Sequence, residues 1–327
     1  MMVNYGRVGV IVIKKLLLYK NLCVIMLYYK VPDTGDPSSV NQNFSRLQVN
    51  LLCCHYWVMD VWEHNNLSFP YWRLYWNNKA GAKISFQGVE YKLIPEKIYL
   101  IPPYTAYSTH YDPDRKAPAN SDFLLGESIN SYIINNKRAD LNGKLKHFFV
   151  HFSLGLPYDA ILPQILEFNI SSHVQLILDK LIPDLNEDYL SYDRYVSMLI
   201  YSLILELLNF IPKEKCMVLT TEPRIEKIIK HIDNNLASDL SNVRLAKIIH
   251  MSTNAFSRLF LNEVGRSPQK YILKRRIEKA CIILHYSSDS IDSIAHKTGF
   301  CDRFYFSRMF KKKMNVSPVA YRHSFKF

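Results

Sequence analysis

Cysteine is scarce in this sequence and shows no pairing pattern. Only 6 of the 327 residues are cysteine, and no two of them form a C-x-x-C pair or a regular framework. Cysteines used in this way are typical of free thiols in a reducing compartment. The composition argues against a disulfide-stapled secreted domain and predicts a cytoplasmic protein.

Long apolar runs are lacking as well. The stretch 1–30 comes closest, but Lys14, Lys15 and Lys20 interrupt it, which leaves no span of about 20 apolar residues. It also has no apolar core followed by a small-residue cleavage site, as a signal peptide would. Residues 1–30 are therefore predicted to be a tail, or an over-called start with Met26 as the true first residue, and no membrane partner is expected.

Basic charge is present in excess, and nearly all of that excess lies in the last third of the chain. From Glu222 to the end there are 20 Lys and Arg against 9 Asp and Glu, a net charge of +11, whereas the whole chain carries +12. This asymmetry is typical of a nucleic-acid-binding domain attached to a non-binding one, although a basic solvated surface would give the same count. The length suggests about two domains.

The basic third contains one motif written twice. Residues 256–271 read FSRLFLNEVGRSPQKY, and residues 306–321 read FSRMFKKKMNVSPVAY. In each copy the phenylalanines lie on one apolar stripe of a helix, and Ser-Pro then supplies the start of another helix. Two copies are too few for a solenoid, so a small duplicated unit is predicted.

A short helix is predicted to precede each copy, which makes the unit helix, tight turn, helix. Serine caps and one glycine stop mark the helix ends, and a small residue marks each close helix contact: Ser241, Ser252, Ser290, Gly299, Ala246 and Ala295. This is the helix-turn-helix arrangement, whose second helix enters the DNA major groove. A helix over residues 268–286, about 28 Å long at 1.5 Å per residue, is predicted to join the two units.

The front of the chain has a different pattern. Short aromatic and β-branched runs separated by turn residues predict an antiparallel sandwich or small barrel over residues 31–165, with 111–142 as an insertion or loop. Helical periodicity follows over 166–218. The helix 191–211 is apolar nearly all round, which favours packing against a second subunit, although an ordinary intramolecular helix is the alternative. Ile204 and Leu208 are the predicted contact residues for a homodimer.

The segments LAKIIHMSTNAFSRLF, KRRIEKACIIL and SIDSIAHKTGFCDRFYFSRMFKKKMNVSPVAYR resemble the AraC/XylS-type transcriptional regulators over about residues 220–327. The front half resembles, more weakly, the cupin-like effector-binding domain of that family. The implied fold is multidomain, β then α. An N-terminal cupin-like antiparallel β-barrel and a helical dimerisation segment precede an all-α tandem helix-turn-helix domain at 219–327.

The resemblance implies a sequence-specific DNA-binding transcription regulator, an activator controlled by a small effector such as a sugar, and neither an enzyme nor a cofactor protein. Its implied partners are double-stranded DNA, the effector, a second copy of the chain and RNA polymerase. Base contacts are expected from the exposed faces of the two recognition helices: Asn254, Ser257, Arg258, Arg303, Phe304, Tyr305 and Arg308. Phosphate contacts are expected from helix starts and a lysine run: Ser241, Asn242, Ser290, Lys311, Lys312 and Lys313.

In the front domain, Tyr71, Arg73 and Tyr75 alternate along one strand face, as an effector site of stacking rings and one guanidinium would require; plain core is the alternative. A competing hypothesis is a metal-dependent cupin enzyme that uses His110, His147 and His151 and is fused to a DNA-binding module. His147 and His151 are four residues apart on one strand, about 13 Å, which is too far for one ion with ligands near 2.1 Å. No metal site is therefore predicted.

Overall fold

The computed structural model describes residues 47–118, 121–129, 141–155, 158–185, 192–211 and 222–323. Strands fill the first part of this range and helices the second, as the change of periodicity predicts. The predicted tail 1–30, with the candidate start at Met26, lies outside the described residues. Within the described part, no helix is both long and apolar enough to cross a bilayer.

Nine strands are described in the front half. They are β1 (Asn50–Leu67), β2 (Trp72–Asn77), β3 (Lys83–Phe86), β4 (Val89–Lys92), β5 (Lys97–Ile101), β6 (Tyr107–His110), β7 (Phe123–Ser128), β8 (Leu145–Ser153) and β9 (Leu166–Asn169). They form one antiparallel sheet in the order β4-β3-β6-β1-β8-β2-β5-β9, with β7 paired to β1. The antiparallel β-rich front half is thus confirmed.

The 18-residue strand β1 links the two ends of the sheet. Its first part pairs with β8, with Cys54 opposite Val150, and its last part pairs with β6, with His64 opposite Thr109. The middle of β1 also pairs with β7. One strand therefore joins both parts of the sheet, which brings β2 and β6 side chains together although these strands are not paired.

Gln87 and Gly88 take φ values of 49° and 81° and turn the chain between β3 and β4. Two details differ from the sequence prediction. Strand β7 lies inside the range predicted as an insertion or loop, 111–142. Strand β9 pairs with β5, so the sheet extends beyond the predicted boundary at residue 165.

The two faces of the sheet have separate cores. On one face, Trp72, Leu74 and Val150 pack beneath helices α1 (Ser172–Asp184) and α2 (Arg194–Asn209). The opposite face, called the inner face below, carries a second cluster that includes Tyr75 and Tyr107. This separation follows from the two-residue period of a strand, which sends alternate side chains of β2 to opposite faces.

Helix α2 is less uniform than its composition suggests. Its side toward the sheet is buried and includes Ile204, which is 0% exposed. The prediction that Ile204 faces a second subunit is therefore wrong, because the residue belongs to the core of its own chain. Leu208 is partly buried against the same core. The exposed apolar side chains of α2 are Tyr195, Met198, Tyr201 and Leu205.

The C-terminal part is all helical. Its helices are α3 (Pro223–Asn234), α4 (Asn242–Ile248), α5 (Thr253–Val264), α6 (Pro268–Tyr286), α7 (Ile291–Lys297), α8 (Arg303–Met314) and α9 (Pro318–His323). The predicted joining helix 268–286 is confirmed. Each duplicated unit has its own core, and α6 enters both, with Tyr271 and Ile272 in the first and Ile277 to Leu284 in the second.

Candidate functional site

The first duplicated unit consists of α4, a turn and α5. Ser241 and Ser252 cap the two helices, each with its side-chain oxygen accepting from a main-chain N–H in the first turn. His250 bends the turn with a φ of 53°. Phe256 and Phe260 are fully buried, which fixes the opposite face of α5 toward solvent.

The second unit, α7 and α8, repeats this geometry with one change. Ser290 caps α7, and Asp302 caps α8 by accepting from the N–H groups of Phe304 and Tyr305. Five residues separate α7 from α8, against four between α4 and α5. The turn of the second unit is thus one residue longer, and Gly299, at a φ of 86°, supplies its bend.

Most of the residues predicted to read bases are exposed on α5 and α8. Asn254 and Arg258 are exposed on α5, and Arg303, Phe304, Tyr305 and Arg308 are exposed on α8. Phe304 is 70% exposed, which is unusual for a large apolar ring. Two arginines lie over aromatic rings of the same helix, Arg303 at 4.7 Å from the ring centre of Phe304 and Arg308 at 5.8 Å from that of Tyr305.

Ser257 differs from the other predicted base contacts because it is half-buried and already bonded. Its hydroxyl donates to the carbonyl oxygen of Thr253 and accepts from Nδ2 of Asn242, at 2.8 and 3.2 Å. Gln269 at the start of α6 donates to Oδ1 of Asn242 at 3.0 Å. These three side chains connect α4, α5 and α6. The matching positions of the second unit are Ile291, Ser307 and Val319, which cannot form the same chain of bonds.

The predicted phosphate contacts lie at the surface of both units. Ser241 and Ser290 use their hydroxyl oxygens to cap α4 and α7. The lysine run Lys311–Lys313 is exposed in the last turn of α8. This places three positive charges at the negative end of the α8 dipole, next to the face that carries Arg308.

The two units also touch each other beside α6. The Nε of Arg276 donates to the carbonyl oxygen of Leu236, and its Nη2 donates to that of Ser238, both at 3.0 Å. A Cβ atom on Gly299 would lie 2.1 Å from the same Leu236 oxygen. The second unit therefore approaches the first so closely that only glycine fits at this position.

The predicted effector residues lie on the inner face of the sheet, and the structure brings two of them together. Nη1 of Arg73 donates to the hydroxyl of Tyr75 at 3.1 Å and to the hydroxyl of Tyr107. The two tyrosine oxygens are 2.7 Å apart. The guanidinium carbon lies 3.4 Å from the ring centre of Phe69. Arg73 is only 5% exposed, so this is a buried cation among aromatic rings.

Comparison with known proteins agrees with the geometry of the helical part. A family of helix-turn-helix domains matches residues 245–324, which contain the second helix pair and most of the first. The C-terminal part of this chain is an AraC-type helix-turn-helix domain. Its two units are the duplicated motif, and α6 is the helix that joins them. DNA binding and transcription regulation are the functions of this domain.

A further similarity is to a named regulator. The raffinose operon transcriptional regulatory protein RafR of Pediococcus pentosaceus is 29% identical over 197 residues, which are 57% of this chain and 71% of that protein. For several other curated regulators the matched part covers less than half of their length.

Among solved structures, an AraC-type regulator from Chromobacterium violaceum is 28% identical, with a TM-score of 0.30, over 31% of this chain and 90% of that one. Fatty-acid-bound ToxT of Vibrio cholerae is 15% identical, with a TM-score of 0.43, over 86% of this chain and 97% of that one.

The AraC-type domain contacts the β domain through the end of α6, a contact that the sequence analysis did not predict. His285 places Nδ1 3.4 Å from the hydroxyl of Tyr71, and Tyr286 bonds through its hydroxyl to Nδ1 of His151. The ring centres of Tyr71 and Tyr286 are 5.6 Å apart. Helical periodicity marks which residues of α6 are buried, but not that the last two meet another domain. Asn77 and Tyr107 also lie on the inner face. The sequence analysis missed them because contacts between distant segments leave no periodic pattern.

His110, His147 and His151, the three candidate metal ligands, each form hydrogen bonds with different partners. His110 bonds to Glu63 and Ser85, His147 to Asn77, and His151 to Tyr286. Burial lowers the pKa of His147 to about 3, and burial together with the nearby Arg73 lowers the pKa of His151 well below its usual value. Among the described residues, no group of three or more His, Cys, Asp or Glu side chains is placed to hold a metal ion.

Proposed function

We propose that this protein is a sequence-specific transcription activator that acts in the cytoplasm, with its DNA contacts divided between α5 and α8 and its activity controlled by a small effector. The observation that carries this proposal is the pair of exposed recognition faces on α5 and α8, which the single unbroken helix α6 joins, inside a region of net charge +11. DNA affinity of a basic domain comes mainly from phosphate contacts, and specificity comes from side chains that reach base edges.

On α5 the proposed base readers are Asn254 and Arg258, because Asn pairs with adenine and Arg with guanine through two hydrogen bonds. Ser257 is retained as a proposed base contact that also positions the helix. On α8 the proposed readers are Arg303, Phe304, Tyr305 and Arg308, with Phe304 against a thymine methyl group. The serine caps, Asn242 and the lysine run contact phosphates in this proposal.

The effector is proposed to bind at the inner face of the β domain, next to Tyr71, Arg73 and Tyr75. The name of the relative RafR refers to a raffinose operon, which favours a sugar or a compound derived from one as the effector. Rings that stack and a guanidinium that donates two hydrogen bonds suit such ligands. The cupin-like character of the sheet and direct contact with RNA polymerase belong to the same proposal.

A homodimer through α2 is also proposed, with a different face from the one expected. Tyr195, Met198 and Leu205 are 51%, 59% and 45% exposed and recur at helical spacing along α2. A row of large apolar side chains at the surface is typical of an interface.

The central proposal is tested with the full chain on DNA. Duplexes are selected from a random pool with the protein, and the selected site is compared with scrambled DNA of equal length in band-shift measurements at several salt concentrations. We expect affinity for both to fall steeply with salt and the selected site to be preferred by about a thousandfold or more. Equal affinity for the two duplexes at every salt concentration would remove the claim of sequence specificity.

A further inference from the structure

The inner face of the β domain buries a positive charge, that of Arg73, for which the described residues supply no negative partner. Arg73 contacts two neutral hydroxyl groups and the ring of Phe69, and among the described residues none of its contacts is a carboxylate. Within the described part of the chain, its Nε has no hydrogen-bond partner. A buried, uncompensated charge is strongly unfavourable, and a ligand that supplies a counter-charge would relieve this cost.

Other unpartnered groups on this face are donors too. Trp57 Nε1, Asn77 Nδ2 and Thr109 Oγ1 are buried and find no hydrogen-bond partner among the residues that the structure describes. Asn77 follows Arg73 and Tyr75 at two-residue steps on β2, and Thr109 follows Tyr107 in the same way on β6, so these side chains share the inner face. A ligand with acceptor oxygens would satisfy these groups, because each carries an N–H or O–H that can donate a hydrogen bond.

We propose that the effector of this protein carries a carboxylate, which accepts hydrogen bonds from Arg73 and neutralises its charge. This inference rests on the proposed function, in which this face binds the effector, and it narrows the ligand from a neutral sugar to an anion such as a sugar acid. A guanidinium fits a carboxylate through two parallel N–H···O bonds, and the free Nε supplies one of these donors.

The AraC-type domain completes this site. Tyr71 connects the inner face to α6. Its hydroxyl lies 3.4 Å from Nδ1 of His285, and its ring centre lies 5.6 Å from that of Tyr286. The Arg73 guanidinium carbon is 5.5 Å from the ring centre of Tyr71. A carboxylate bound to Arg73 therefore acts on Tyr71 and, through it, on the end of the helix that holds both DNA-reading units. The hydroxyl of Tyr286 transmits the response.

The charge requirement is tested by thermal unfolding of the full chain with paired probes of similar shape. The pairs are acetate with acetamide, benzoate with benzamide, and glucuronate with glucose, all at equal ionic strength. We expect at least one carboxylate to raise Tm by about 2 °C or more over its neutral partner. Arg73→Met should abolish this difference, and Arg73→Lys, which keeps the charge, should retain part of it. The proposal is overturned if no carboxylate exceeds its neutral partner, or if Arg73→Met responds like the wild type.

The link to DNA is tested by band shift on the selected operator with the active carboxylate. Wild-type affinity should change by about fivefold or more, and Tyr286→Phe should lose that change while still binding the carboxylate in the thermal assay. An unchanged operator affinity in the presence of a bound carboxylate would overturn the role of α6. Failure of the proposed function looks different, because the protein would then show no operator preference with or without a carboxylate.

Discussion

Gly299 lies in the turn of the second helix-turn-helix unit, and Leu236 lies between α3 and α4 in the core cluster of the first, yet a side chain on Gly299 would meet the carbonyl oxygen of Leu236 at 2.1 Å. Arg276 donates to the same oxygen at 3.0 Å. The contact between the two units therefore depends on one glycine in a left-handed turn and one arginine of α6. The relative position of the two units is therefore set by side-chain and backbone packing at Gly299 and Arg276.

Gly299→Ala should separate the two units or unfold the domain. The substitution adds both left-handed backbone strain and a clash with main chain that cannot move aside, for a loss of about 3 kcal/mol or more in the free energy of unfolding. Gly265→Ala is the matched control, because Gly265 has a φ of 71° but open space around its Cβ position, so only about 1–2 kcal/mol should be lost. Urea unfolding of both variants measures the difference. Equal losses would show that the clash is relieved without cost.

Arg258→Ala and Arg308→Ala should each relax the preference at one base position. The two arginines hold equivalent places on α5 and α8, so their bases should lie about one helical turn apart. Each loss should cost about 1–3 kcal/mol of binding free energy. Site selection with each variant measures this. The turn before α8 is one residue longer than the turn before α5, so the equivalence of the two arginines is tested most directly at Arg308. A uniform loss of affinity at all sequences would move that arginine to the phosphate backbone.

Lys312→Ala is the control for this experiment. An exposed lysine that contacts phosphate should weaken binding to every sequence alike, and the slope of log affinity against log salt should fall by about one. A change of preferred sequence in this variant would contradict its assignment.

Met198→Glu combined with Leu205→Glu should convert a dimer into a folded monomer. Both side chains are exposed on α2, so carboxylates there cost little in the monomer but would be buried without partners between two subunits. Ile204→Ala is the control, because Ile204 is fully buried in its own chain and its loss should lower stability without dissociating the subunits. Sedimentation equilibrium at micromolar concentration distinguishes the two effects. A monomeric wild type would refute the dimer.

Acid should destabilise the β domain through its neutral histidines. Burial lowers the pKa of His147 to about 3, so below pH 6.5 the unfolded chain takes up a proton that the folded chain refuses. The stability that His147 contributes is complete above pH 6.5 and is lost as the pH falls toward 3. Between pH 7 and pH 5 that loss is about 2 kcal/mol.

The control for this pH effect is His147→Gln, which keeps a polar side chain near Asn77 but does not titrate. Its free energy of unfolding should fall less than that of the wild type between pH 7 and pH 5. Asp159, whose pKa burial raises to about 6, changes stability in the opposite direction, but it does so equally in both proteins. Identical pH profiles would show that His147 is accessible to protons in the folded state.

Local sequence signals predicted the helical part closely. The ends of α6, the serine caps and the buried phenylalanines all follow from spacing and capping chemistry, which act within a few residues. The same rules found the alternation of Arg73 and Tyr75 on one strand face. They missed β7, whose FLLGES sequence has a weak alternation, and they put Ile204 on the wrong side of α2, because a helix that is apolar all round does not show which side meets the sheet.

The contacts between distant segments could not be predicted in this way. Tyr107 meets Arg73 only because β1 pairs with β8 and β6 in turn, and Tyr286 meets His151 across 135 residues of chain. No periodic pattern records such pairs. Gly299 was predicted as a helix stop, but its second role, the approach to Leu236, depends on how two units pack.

The joining helix α6 runs for 19 residues without a break, and its partners at both ends hold it in one orientation. A protein with a flexible linker could tolerate a base pair gained or lost between its two recognition sequences. With base contacts divided between α5 and α8 as proposed, this chain could not, since one base pair turns the second groove by about a tenth of a revolution away from α8. On that proposal, new target genes must acquire both recognition sequences in the correct phase. A promoter that gains an insertion between the two sequences should escape regulation, unless the shift amounts to a whole turn of DNA.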